Sequence, residues 1–128
     1  MTVIPRIGLT VTHRRFVPHS QAHYAGSLVD GAFVLGLFGD VATEVCIRTD
    51  GDEGLFASYD DVQFLASVRG GDVVEVRATV TRVGQRSRSL EFTAHVLCRG
   101  ASQRGPAAAE LLAEPLLVTT ARGTVVIP

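Results

Sequence analysis

Asp40 and Glu44 stand four residues apart in an otherwise apolar stretch that begins at Ala32 and runs to Val45. On a helix that spacing projects both carboxylates from one face. A carboxylate in an apolar setting is costly unless it is paired or used. Two close together push one another's pKa apart, so one stays charged while the other holds a proton. Such a pair suits general acid–base work. The structural alternative is a salt bridge, or a cap on a neighbouring strand. Just upstream lies a polar, glycine-containing segment, Ala22-His23-Tyr24-Ala25-Gly26-Ser27-Leu28-Val29-Asp30-Gly31. A helix opening there offers unpaired N–H groups, around Asp30 and Gly31, to a carbonyl or phosphate oxygen. Gly31 lets a partner approach closely. His23 and Tyr24 are placed to hydrogen-bond a carbonyl or amino group, and Asp30 also reads as the helix N-cap.

The elements that must position these groups follow from periodicity. A helix is predicted to begin between Ser27 and Asp30 and to end at the turn Thr49-Asp50-Gly51-Asp52-Glu53-Gly54. Val29, Phe33, Leu37, Val41 and Val45 recur at intervals of four, with Ala32, Leu35, Phe38 and Ala42 beside them, which predicts a helix buried around most of its circumference. Gly36 and Gly39 inside it suggest close approach of backbone or ligand, or a plain packing need. Before the helix, Ile7 to Thr12 reads as a short strand and His13 to Ser20 as loop. After it the period drops to two. Val62, Phe64, Ala66 and Val68 alternate, as do Val74 to Val80 and Leu90 to Cys98. Gly100 to Pro115 reads as a loop with a short turn at Ala108 to Ala113, and Leu116 to Ile127 as the last strand. The predicted fold is α+β: a five-stranded antiparallel sheet wrapped around one long central helix, the hotdog architecture, as a single domain over 1–128. Such a sheet has edges that pair with a second copy, so a dimer or a dimer-based oligomer is expected.

Composition narrows the partners. In 128 residues, 12 basic and 13 acidic side chains leave a formal net charge of −1, which gives no electrostatic footprint for nucleic acid or a membrane surface. No apolar run reaches the roughly 18 residues that span a bilayer, and no basic segment precedes an apolar one at the N-terminus. A cytoplasmic setting is the expectation. Cys46 and Cys98 lack C-x-x-C spacing and read as thiols, and no clustered His, Cys and carboxylate residues predict a metal site.

The blocks His23-Tyr24-Ala25-Gly26-Ser27-Leu28-Val29-Asp30-Gly31-Ala32, Leu37-Phe38-Gly39-Asp40-Val41-Ala42-Thr43-Glu44 and Asp50-Gly51-Asp52-Glu53-Gly54-Leu55-Phe56 resemble the 3-aminobutyryl-CoA ammonia-lyase family. The likeness continues through Val62-Gln63-Phe64-Leu65, Gly71-Asp72, Val83-Gly84, Ser87-Arg88, Glu114-Pro115 and Arg122-Gly123-Thr124. Two positions depart from the family pattern, Ala25 where it has Gly and Ser27 where it has Asn. The resemblance implies a hotdog enzyme that eliminates ammonia from a β-aminoacyl-CoA, with coenzyme A as part of the substrate and no further cofactor. It implies Asp40 and Glu44 as the proton-handling groups, with His23 and Tyr24 beside them. Gly26, Ser27, Asp30 and Gly31 would meet the thioester. Arg88, with Arg86 and Arg122, would contact the CoA phosphates, which suit the guanidinium fork. Two other readings share these residues. One is a hotdog thioesterase on a β-substituted CoA or carrier-protein thioester, with Asp40 as base or nucleophile. The other is a non-catalytic acyl-thioester binding module.

Overall fold

The computed structural model describes residues 6–128; residues 1–5, on which the reading of the N-terminus bears, lie outside them. In chain order the elements are β1 (Thr10–Phe16), a 3-10 turn (His19–Gln21), β2 (Leu28–Val29), α1 (Gly31–Asp50) and β3 (Leu55–Phe64). There follow β4 (Val68–Arg69), β5 (Val73–Val83), β6 (Ser87–Gly100), a second 3-10 turn (Ser102–Arg104) and β7 (Ala109–Val126). Five strands form one antiparallel sheet in the order β1-β5-β6-β7-β3, while β2 and β4 make a small separate ribbon. This is the hotdog architecture.

The period-two alternation sends Val74, Val76, Ala78 and Val80 of β5 and Leu90, Phe92, Ala94 and Val96 of β6 to the inner face, all of them buried. The register fixes them side by side, with Val76 opposite Ala94, Ala78 opposite Phe92 and Val80 opposite Leu90. Helix α1 lies on this face through Val34, Phe38, Val41, Ala42, Val45 and Cys46. Phe38 stacks on Phe92 with ring centroids 4.9 Å apart.

The buried stripe differs from the row of fours read from the sequence. Each step of four residues turns about 40° beyond a full circle, so a long row of fours drifts off one face. Phe33 and Leu37 are accordingly only half-buried, and the helix is not buried all round. Ala32, Gly36, Asp40, Thr43 and Ile47 form an outer face open to solvent. A Cβ added at Gly36 or Gly39 would meet nothing within 4 Å, so no backbone among the described residues makes the close approach suggested for them.

Three strand boundaries also move. Ile7 to Leu9 form a turn, and β1 continues through His13 to Phe16. Its polar residues fit because β1 pairs only with β5 and is a sheet edge. The other edge, β3, begins at Leu55, well before the alternation from Val62. The loop expected over Gly100 to Pro115 shrinks, because β7 starts at Ala109. Pro115 is tolerated inside β7 because the pairing with β6 shifts between Leu111 and Leu116, where no ladder N–H is required.

Candidate active site

The start of α1 gathers one group of candidate residues. Tyr24 N–H donates to the Leu28 carbonyl at 3.2 Å, closing a tight loop in which Gly26 (φ 77°) and Ser27 (φ 60°) both adopt left-handed backbone. Glycine does so freely, whereas serine is strained there. The β2–β4 pairing, Leu28 with Arg69 and Val29 with Val68, then holds the chain as it enters the helix. Asp30 is the N-cap, its Oδ1 accepting from Phe33 N–H at 2.9 Å. His23 donates from Nε2 to the other oxygen, Oδ2. The His23 hydrogen bond, and after it the Phe33 N–H, hold the Asp30 carboxyl below the usual carboxylate range. Tyr24 packs beside His23, with ring centroids 4.5 Å apart.

Since Asp30 takes the Phe33 N–H, and the Ala32 N–H also faces its carboxylate, the Gly31 N–H is left as a first-turn donor with no partner inside the helix. It borders a cavity of about 220 Å³ walled by Tyr24, Leu28, Val34, Phe64, Ala66 and Thr119. A Cβ at Gly31 would sit 2.4 Å from Phe64 Cε1, so the close approach that glycine permits here is made by an aromatic ring of β3. Phe64 and the buried Thr119 escaped the sequence reading as site residues. Both lie far from the loop in sequence, and only strand packing brings them to it.

Asp40 and Glu44 sit elsewhere. Glu44 is engaged on both oxygens, Oε1 with His13 Nε2 and Oε2 with Arg48 Nε, each at 2.8 Å. His13 first, then Arg48, lower its carboxyl pKa. The groups that perturb Glu44 are thus His13 and Arg48, with no contribution from Asp40. Asp40 is exposed on the outer face and makes no side-chain hydrogen bond among the described residues. At 1.5 Å rise per residue it lies about 15 Å along the helix from Asp30. Within one chain the carboxylate and the helix-start amides are therefore not neighbours.

Of the arginines, Arg88 is only 4 % exposed. It holds Asp50 in a fork, Nη2 to Oδ1 at 2.7 Å and Nε to Oδ2 at 3.0 Å. Its Nη1 donates to the carbonyls of Gly84 and Ser87. With the guanidinium so engaged, Arg88 is a clamp between the end of α1 and the β5–β6 turn, and the phosphate contact expected of it does not fit. Arg88, first among several groups, brings the Asp50 carboxyl down to about 2. Arg86 is exposed in the same turn, and Arg122 is exposed on β7, 3.9 Å from Asp61. No three His, Cys, Asp or Glu residues among those described are grouped to hold a metal ion.

Comparison with known proteins places this geometry. Residues 28–99 match the family described as the thioesterase superfamily. The 3-aminobutyryl-CoA ammonia lyase of Acetoanaerobium sticklandii is 48% identical over 108 residues, which covers 84% of this chain and 86% of that protein. The solved β-alanyl-CoA:ammonia lyase from Clostridium propionicum matches with a TM-score of 0.89 at 33% identity, covering 94% of this chain and 86% of the other. A hexameric hotdog fold thioesterase of Campylobacter jejuni shares the fold alone, at a TM-score of 0.73 and 21% identity, covering 89% and 79% of the two chains. The chain thus belongs to the thioesterase superfamily and, within it, to the family of the 3-aminobutyryl-CoA ammonia lyase.

Proposed function

We propose that this protein is a β-aminoacyl-CoA ammonia-lyase that reversibly converts 3-aminobutyryl-CoA to crotonyl-CoA and ammonia. The observation that carries the reading is the 48% identity, over 84% of the chain, with a protein of that activity. The site supplies groups of the right kind. Elimination begins when a base breaks the Cα–H bond and the electron pair moves onto the thioester oxygen. Gly31 N–H, at the positive end of α1, faces that oxygen, and Asp30 holds the first turn in place. The pair returns to form the C=C bond as the Cβ–N bond breaks and nitrogen leaves as ammonia. Asp40, the carboxylate of the pair that is free, takes the Cα proton and hands it to the departing ammonia, which leaves as ammonium. Glu44, tied to His13 and Arg48, stands one helical turn from Asp40. His23 and Tyr24 border the acyl group. The chemistry requires no cofactor beyond the CoA of the substrate, and a CoA thioester suits a cytoplasmic setting.

The separation of about 15 Å between Asp40 and Asp30 supports a site completed by a second copy. Two helices facing each other antiparallel through their outer faces bring Asp40 of one toward Gly31 of the other, twice per dimer. Mixing Asp40→Asn subunits with Asp30→Ala subunits then restores about a quarter of wild-type activity, since half of the dimers are mixed and each holds one intact site. No recovery on mixing would place both groups within one chain.

The reaction is tested by incubating the pure protein with crotonyl-CoA and ammonium. Loss of enoyl-thioester absorbance without free thiol is the expected result. Free thiol appearing in step with substrate loss would instead make the protein a thioesterase, the reading favoured by the superfamily match over residues 28–99. Silence on both readouts would refute the lyase on this substrate and leave the binding module.

A further inference from the structure

A cavity of about 610 Å³ lies outside the group just described, on the far side of the β2–β4 ribbon. Ser27, just before β2, and Arg69 of β4 line it, while Val29 and Val68 line the smaller cavity at the helix start. The two spaces share this one thin wall. The charge of the larger groove is one-sided. Arg69, Arg99 and His19 line it, and no carboxylate does. Asp72 is near but fully buried, and both of its oxygens are taken by Arg99, from Nε at 3.0 Å and Nη2 at 2.9 Å. Arg99 Nη1 makes no hydrogen bond among the described residues. Arg69 is exposed and its guanidinium pairs with nothing described, so its charge faces the groove uncompensated. His19 is fixed on the wall by its fit over the β4–β5 turn: a Cβ at Gly71 would meet its ring at 2.8 Å. At the rim Phe16 is 55% exposed, an aromatic face with nothing stacked on it but the edge of His19.

We propose that this groove takes the nucleotide end of the substrate's coenzyme A, with its phosphates on Arg69 and the free edge of Arg99 and its adenine on Phe16. An arginine pair without a nearby free carboxylate suits a diphosphate or a phosphomonoester, and an exposed ring suits a base. The cofactor arm then passes over the ribbon to the helix start. The proposal rests on the CoA-thioester reading above and replaces Arg88 as the phosphate contact.

The test is calorimetric binding of CoA, adenosine 3′,5′-bisphosphate and pantetheine to the intact protein, to Arg69→Ala and to Arg86→Ala. In Arg69→Ala the first two ligands bind at least about tenfold more weakly, and pantetheine binds as to wild type. Wild-type affinity for the bisphosphate also falls with added salt. Arg69 lies at the surface, so an unchanged melting temperature verifies that Arg69→Ala is folded; Arg69→Glu gives a larger loss in the same direction. Wild-type affinity for CoA in both Arg69 variants, or transfer of the loss to Arg86→Ala, overturns the groove. Binding is read without turnover, so the two readings fail separately. A protein that binds CoA through Arg69 yet leaves crotonyl-CoA untouched keeps the groove and loses the lyase. One that adds ammonia with an unaltered KM in Arg69→Ala keeps the lyase and loses the groove.

Discussion

Replacing Arg88 with Met removes the guanidinium that clamps the end of α1 to the β5–β6 turn, and the magnitude follows from its partners. Asp50 titrates at about 2 in the folded chain against 3.8 for an ordinary aspartate. A difference of nearly two pKa units corresponds to roughly 2 kcal/mol of stability at neutral pH, shared among Arg88, Thr49 and Arg6 with Arg88 the largest. Arg88 Nη1 also serves the carbonyls of Gly84 at 3.0 Å and Ser87 at 2.8 Å; Ser87 keeps the Gly84 N–H as a donor, and the Gly84 carbonyl left without this one adds about 1 kcal/mol. Since Thr49 and Arg6 keep their share, the expected loss is about 2 kcal/mol, below what breaking a fully buried ion pair costs. For a chain of this size that is a fall of about 7 °C in melting temperature. The pH dependence has a definite sign. Because the folded pKa is depressed, the Asp50 contribution is fully present above about 4 and is lost as pH falls toward about 2. The gap between wild type and Arg88→Met should narrow over that window to the part carried by the carbonyl hydrogen bonds. The assay is thermal and urea unfolding by circular dichroism at fixed protein concentration, with CoA affinity measured at a temperature where both proteins are folded. The reasoning fails if the melting temperature moves by less than about 2 °C while CoA affinity drops tenfold. That result would return Arg88 to the phosphates.

Asp40→Asn should lower the rate of ammonia addition to crotonyl-CoA by about 10² to 10⁴ while leaving CoA affinity in place, and Glu44→Gln should cost less because its carboxylate is tied to His13 and Arg48; equal rates in wild type and Asp40→Asn would remove Asp40 from the chemistry. Gly31→Ala puts a methyl group 2.4 Å from Phe64 Cε1. Phe64 is 58% exposed and its ring can swing away, so the cavity rather than the fold should suffer. kcat/KM then falls about tenfold, and the double variant with Phe64→Ala regains most of it; a double variant as slow as Gly31→Ala would show that the ring is irrelevant. Ser27 sits at φ 60°, where Asn is more at ease. Ser27→Asn should raise stability by up to about 1 kcal/mol and Ser27→Val lower it by at least as much, both read from urea midpoints.

The sequence by itself determined the fold and the entry into the helix. Alternating apolar residues from Val74 to Val96 set the inner face of the sheet, because a strand has no other way to bury every second side chain. Asp30 followed by an apolar helix placed the N-cap, since capping involves only residues three apart. The edge strands were less legible. β1 and the start of β3 are sheet edges that bury almost no side chains, so their residues carry no alternation, and Pro115 looked like the end of a loop until a register shift accommodated it.

What only tertiary structure decided is which charges answer which. Nothing in the spacing tells that Glu44 meets His13 across 31 positions, or that Arg88 meets Asp50 across 38. The same holds for Phe64 filling the space left by Gly31, and for Arg69 remaining unpaired while Arg99 takes Asp72. Periodicity depends on the backbone's own repeat and can be read along the chain. Pairing between charged side chains depends on distances set by how the helix lies across the sheet, and these exist only once the chain is folded.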